Sequence, residues 1–182
     1  MKETNKTPLR IFLIGFMCAG KSQVGKALAP LLELPFVDID RVVEQRVGPL
    51  APFIQREGEA AFRLQETTVL DDLLKGDAAV ISTGGGTPCE GDNLHRMNSA
   101  GITVWLDVPM AQLMPRIERA GGDRPLLFGL KGAALHERVR TLMEEREGLY
   151  AQAQIIVQAT EPIPVVAERI KMALDTFYTT WK

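Results

Sequence analysis

Residues 10–27 read RIFLIGFMCAGKSQVGKA. An apolar run, Ile11-Phe12-Leu13-Ile14, stops at Gly15, and Gly-x-x-x-x-Gly-Lys-Ser is then completed at Gly15, Gly20, Lys21 and Ser22. The spacing suits a phosphate. A flexible loop turns several backbone N–H groups toward phosphate oxygens, the lysine adds a point charge, and the serine hydroxyl can ligate Mg²⁺. A helix opening immediately afterwards aims its positive end at the same anion. Val24, Ala27, Leu28, Leu31 and Leu32 give that helix an apolar stripe. A strand-like run before the motif and a helix-like run after it separate a phosphate-binding loop, or P-loop, from a glycine-rich turn that binds nothing.

Outward from this stretch, strand-like and helix-like segments alternate to the end of the chain. Short, β-branched, apolar runs predict strands over 11–15, 35–39, 79–83, 102–108 and 154–158, each read as buried on both faces because polar alternation is missing. Helices are predicted over 21–32, 40–47, 59–74, 91–100, 110–119, 134–150 and 164–177, and 48–52 reads as a proline-punctuated turn. The β-α-β-α order implies a three-layer α/β/α fold around a five-stranded parallel sheet. Residues 1–9 read as a disordered lead-in, and 1–182 as one domain.

With 46% hydrophobic and 24% charged residues the composition is that of a globular protein. A formal net charge of −2 gives no footprint of general nucleic-acid binding. No apolar run reaches transmembrane length and the N-terminus is polar, so the expectation is a cytoplasmic protein without a membrane partner. Cys18 and Cys89 are too few for a disulfide framework or zinc site and are expected as free thiols. His95 and His136 lack partners at metal-ligand spacing and read as structural.

The polar residues that punctuate the predicted strands all fall at their carboxyl ends: Gly15, Asp38 with Asp40, Gly84 to Gly86, and Asp107. In an open parallel sheet that edge is where ligands bind. Asp38 and Asp40, two apart, face one crevice if the strand persists through them. One carboxylate can then hold Mg²⁺ or its water shell and the other accept a hydrogen bond from a substrate hydroxyl; the alternative is that Asp40 only caps the following helix. Arg63 lies near the start of a helix, the end that disfavours cations, so it calls for an anion: Glu59, Glu66 or a bound carboxylate. Three successive glycines after a buried strand favour main chain that approaches a ligand closely. Residues 116–133 hold Arg116, Arg119 and Arg124 around Gly121-Gly122, a pattern shared by a mobile lid closing on phosphates and by a solvated loop. Arg146 is one of several arginines among glutamates on a helix, and spacing alone does not single it out.

Together, GFMCAGKS at 15–22, FVDID at 36–40, GEAAFR at 58–63, TGGGT at 83–87 and RPLL at 124–127 resemble the shikimate kinase family, small P-loop kinases of the nucleoside-monophosphate-kinase type. The resemblance spans the chain from Arg10. It implies transfer of the γ-phosphoryl group of ATP, with Mg²⁺, to the 3-hydroxyl of shikimate in aromatic amino-acid biosynthesis, usually by a monomer. Carried over by residue, Cys18, Ala19, Gly20, Lys21, Ser22 and Gln23 would hold the nucleotide, with Ser22 and Asp38 serving the metal. Asp40 would be the base and a contact for the acceptor hydroxyls, Arg63 and Arg146 would clamp the carboxylate, and backbone at Gly85 would seat the ring. Arg124, in the lid, would reach the transferring phosphate. The chain departs from the family pattern at Cys18, where a further glycine is usual, and at Phe53-Ile54, where an Ile-Phe pair is usual. Asp107, after Val104-Trp105-Leu106, competes with Asp38 for the metal role. Two other readings stay open: a gluconate-type sugar-acid kinase on the same architecture, and a catalytically inert nucleotide-binding module.

Overall fold

Five parallel strands, in the spatial order β2-β3-β1-β4-β5, form the centre of the computed structural model, which describes residues 9–120 and 125–180. They are β1 (Arg10–Ile14), β2 (Phe36–Asp38), β3 (Ala79–Ser82), β4 (Ile102–Asp107) and β5 (Ile155–Gln158). β1 is the middle strand, paired with β3 from Arg10↔Ala79 to Leu13↔Ser82 and with β4 from Ile11↔Ile102 to Ile14↔Trp105. All five of its residues are buried, as its unbroken apolar sequence requires. The two edge strands depart from the sequence reading: β2 is half-buried throughout and β5 alternates buried and exposed, because each has a neighbour on one side only.

The helices are α1 (Lys21–Leu31), α2 (Ile39–Val47), α3 (Leu50–Glu57), α4 (Glu59–Lys75), α5 (Asn93–Ala100), α6 (Met110–Ala120), α7 (Gly132–Tyr150) and α8 (Ile163–Thr180). Right-handed crossovers place α1, which leads from β1 to β2, on one face; the connections running in the other direction across the sheet place α2 to α7 on the opposite one. Packing agrees with this division. α1 lies against α8, while α4 lies against α2, α3 and α5. α1 approaches β2 so closely that a Cβ on Gly25 would fall 2.3 Å from the Phe36 ring.

Helix α3 corrects the sequence reading of a turn at 48–52. Gly48, at φ 84, ends α2, and Gly58, at φ 86, ends α3. Pro52 sits in the first turn of α3, where its missing N–H leaves no helical hydrogen bond unmade. A proline there marks a beginning rather than an interruption.

The topology also fixes where a ligand can bind. The connection leaving β1 crosses toward β2 and the one leaving β3 crosses toward β4, so the neighbours β1 and β3 diverge at their carboxyl ends. Such a divergence opens a crevice. The P-loop leaves β1 into it, and Thr83 to Gly86 leave β3 into it.

Candidate active site

Gly20, at φ 95, caps α1 without a side-chain hydrogen bond, and the first turn of that helix has no acidic residue. Its N–H groups are therefore left to an external anion. Lys21 is 7% exposed, with its Nζ donating to the Gly15 and Phe16 carbonyls at 2.9 Å each. Cys18 takes φ 61, one of two non-glycine residues with positive φ among those described. The chain thus reproduces with a cysteine the left-handed backbone that glycine adopts without strain.

Across the crevice, Ser22 Oγ donates to Asp38 Oδ2 at 2.5 Å and lies 3.3 Å from Ser82 Oγ at the end of β3. Here too the sequence reading needs correcting. β2 stops at Asp38, and Asp38, rather than Asp40, caps α2, its Oδ1 accepting from the Arg41 N–H at 3.4 Å. Asp40 lies in the first helical turn, so the two acids share the crevice through a helix start and not through an extended strand. Asp107 ends β4, on the far side of β1 from β2, and its carbonyl accepts from Ala159.

Two cavities adjoin. The smaller, of about 290 Å³, is lined by the P-loop residues Cys18, Gly20, Lys21, Ser22 and Gln23, together with Thr83. The larger, of about 360 Å³, holds Arg63, Glu66 and Arg146, with Leu50, Ile54, Phe62 and Leu126 as its apolar wall. Met17, Asp40 and Gly85 line both. Ala19, in the P-loop, is buried beside them. Ile54 faces the larger cavity while Phe53 packs into the core, so the inverted Phe53-Ile54 order still supplies an apolar wall.

The two arginines of that cavity differ in their surroundings. Arg63 donates to Glu66 and Glu59, at 2.5 and 2.9 Å, so internal acids partner it as well as any ligand. Burial works against its charge, but Glu66 and Glu59 outweigh this and keep the guanidinium protonated. Arg146 is 8% exposed, stacks 6.0 Å from the Phe16 ring centroid, and forms no ion pair among the described residues.

Glu66 is fully buried and accepts from Thr87 Oγ1 at 2.5 Å. Burial raises its pKa; Arg63 opposes that shift and the nearby Asp40 adds to it. The glycine loop is packed tightly around these groups. A Cβ on Gly84 would lie 1.9 Å from Glu66 Oε1, and one on Gly86 would lie 2.6 Å from Arg63 Cζ. A Cβ on Gly85 would lie 3.3 Å from Met17 N and 3.7 Å from Arg146 Nη1.

In the sequence Glu66 stands out only as one possible partner of Arg63, and no local signal marks Leu50 or Tyr150. The proline at 52 conceals Leu50's helix, and the Tyr150 contact with the Gly85 carbonyl joins residues 65 apart in sequence. Arg116 reaches the Cys18 carbonyl at 3.4 Å. Arg124 and the Gly121-Gly122 pair lie outside the described residues. Both cysteines are free thiols, and among the described residues no helix is long and apolar enough to cross a membrane.

A P-loop at the end of the central strand, opening beside an arginine-bearing cavity, defines a small-molecule kinase of the P-loop class. Comparison with known proteins narrows it further. Residues 17–175 match the shikimate kinase family model. The shikimate kinase of Aquifex aeolicus is 39% identical over 168 residues, covering 92% of this chain and 96% of that protein. The crystal structure of Acinetobacter baumannii shikimate kinase in complex with shikimate superposes with a TM-score of 0.86 at 32% identity, covering 93% and 94% of the two chains. A gluconokinase from Sinorhizobium meliloti, at 16% identity and a TM-score of 0.62 over 95% and 98% of the chains, shares the fold alone. The chain belongs to the shikimate kinase family. Its activity is the ATP-dependent phosphorylation of the shikimate 3-hydroxyl, giving shikimate 3-phosphate and ADP.

Proposed function

We propose that the two cavities are the nucleotide and acceptor halves of one active site, and that the phosphoryl group passes between them beside Asp40. One observation carries the acceptor assignment: Arg146 is a buried cation without an acidic partner among the described residues, in a cavity whose other arginine is already paired. A buried charge calls for a counterion. A carboxylate held between Arg146 and Arg63 supplies it, and the apolar wall of Leu50, Ile54 and Phe62 suits a carbocyclic ring.

In this reading the P-loop backbone from Cys18 through Gln23, with Lys21, holds the β- and γ-phosphates. Asp40, common to both cavities, orients the acceptor hydroxyl and takes its proton. Backbone at Gly85 seats the ring, and Arg124 reaches the transferring phosphate when the lid closes. Phosphoryl transfer depends on positioning and charge neutralisation more than on covalent chemistry, so these groups suffice.

Ser22 and Asp38 offer a hydroxyl and a carboxylate side by side, the hard oxygen donors that Mg²⁺ takes alongside water and phosphate oxygens. Bound there, the ion would neutralise charge on the phosphates. We further propose that the chain acts in the cytoplasm as a monomer, since one chain supplies both halves of the site.

The test is ATP turnover against shikimate, gluconate and nucleoside monophosphates. Turnover with shikimate alone is expected; phosphorylation of gluconate without shikimate would sink the assignment. An inert nucleotide-binding module would turn over none of them.

A further inference from the structure

We propose that Tyr150 is a positioning residue for the acceptor, acting through the Gly84 to Gly86 backbone without touching the substrate. The proposal rests on the reading of the larger cavity as the acceptor site.

Tyr150 is the last residue of α7, one turn beyond Arg146, and is fully buried. Its Oη donates to the Gly85 carbonyl at 2.5 Å. Its ring packs against Trp105, with centroids 6.0 Å apart, and Trp105 in turn closes on the root of the P-loop, 3.2 Å from where a Gly15 Cβ would lie. A tyrosine needed only to fill the core could find its hydroxyl a partner in many places. This one donates to the middle of the glycine loop, at the residue that lines both cavities, and also meets the Arg146 guanidinium, so it touches both groups that face the acceptor. Burial pushes the phenol's pKa upward, so it stays protonated and a donor.

The consequence follows from peptide geometry. No cis peptide occurs among the described residues, and in a trans peptide the carbonyl and the next N–H point in opposite directions. Holding the Gly85 carbonyl toward Tyr150 turns the Gly86 N–H away from it. Tyr150 is not part of the cavity lining, whereas Gly85 and Gly86 are. Among the described residues neither Gly85 nor Gly86 donates its N–H to another protein group. Tyr150 thereby aims an unused backbone donor and, on the same helix, carries Arg146 at a fixed distance from it. The donor and the guanidinium are set as a pair for one anionic acceptor.

Tyr150→Phe keeps the ring and removes only the hydroxyl. The expected result is a rise of about tenfold in the KM for shikimate, as suits the loss of one hydrogen bond, with kcat and the KM for ATP within about twofold. Unchanged shikimate KM, or equal losses for both substrates accompanying a lowered melting temperature, would show a structural role and overturn the proposal. If the variant does not fold, the wild-type protein carries the test through ¹⁵N-resolved NMR. Shikimate should shift the Gly86 amide, and an unmoved resonance overturns the proposal. Wild-type protein that fails to bind shikimate contradicts the acceptor reading itself, whereas tight binding by both wild type and Tyr150→Phe sinks this inference alone.

Discussion

Ser22 Oγ donates to Asp38 Oδ2 at 2.5 Å, joining the start of α1 to the end of β2 across the intervening strand β3. The bond brings together the two oxygen donors proposed for the metal, and Asp107, on the other side of β1, makes no such approach. Asp38→Asn should therefore raise the Mg²⁺ concentration for half-maximal activity about tenfold or more, with the KM for shikimate nearly unchanged. Asp107→Asn should leave the Mg²⁺ dependence alone. The reverse pattern would move the metal role to Asp107.

Cys18 already holds the left-handed conformation that glycine favours, at φ 61. Cys18→Gly should leave ATP affinity within about twofold and raise stability by about 0.5–1 kcal/mol, relief of strain exceeding the added chain entropy. Calorimetric ATP binding and denaturant unfolding measure the two effects. A large loss of ATP affinity would mean that the cysteine side chain shapes the loop.

The space behind Gly86 is occupied by the Arg63 guanidinium. In Gly86→Ala the new methyl must displace that group, so the KM for shikimate should rise at least about tenfold while the KM for ATP stays nearly constant. Steady-state kinetics with each substrate varied in turn distinguishes this from general damage, which would alter both.

Glu66 gives a pH dependence whose sign is fixed by its burial. Its folded-state pKa is raised above the usual 4.5, so the folded protein binds the proton more tightly than the unfolded chain. The associated stability is complete below the usual carboxylate range and is lost as pH rises through the folded-state value, at no more than about 1.4 kcal/mol per pH unit. Glu66→Gln lacks that titration. Its melting temperature should match the wild type near pH 4 and exceed it increasingly as pH rises, even as the weakened hold on Arg63 lowers acceptor affinity. Parallel melting curves across the pH range would contradict the account.

The proposed nucleotide half is legible from residues 15–22 because a phosphate loop is made of consecutive backbone, and the order of five apolar runs is enough to imply the parallel sheet. The proposed acceptor half is assembled from α3, α4, the glycine loop and α7, and no local pattern announces such an assembly. Arg146 lies among the residues of a charged helix and becomes distinctive only when burial shows it without the glutamate partners that Arg140 has. Alternation along a strand suggests one crevice for Asp38 and Asp40, whereas the strand ends at Asp38, which caps the helix, and Asp40 lies in the first helical turn. Prolines at 49 and 52 suggested a turn because their effect depends on position within a helix, which composition does not reveal.

Arg146 is proposed to await the carboxylate of the acceptor, and titration calorimetry of shikimate into wild type and Arg146→Ala tests this most directly. A charge-assisted contact of about 1.5–3 kcal/mol corresponds to a loss of roughly ten- to a hundredfold in shikimate affinity. The predicted result is that loss, with ATP binding unchanged. Equal shikimate affinity in the two proteins would contradict it.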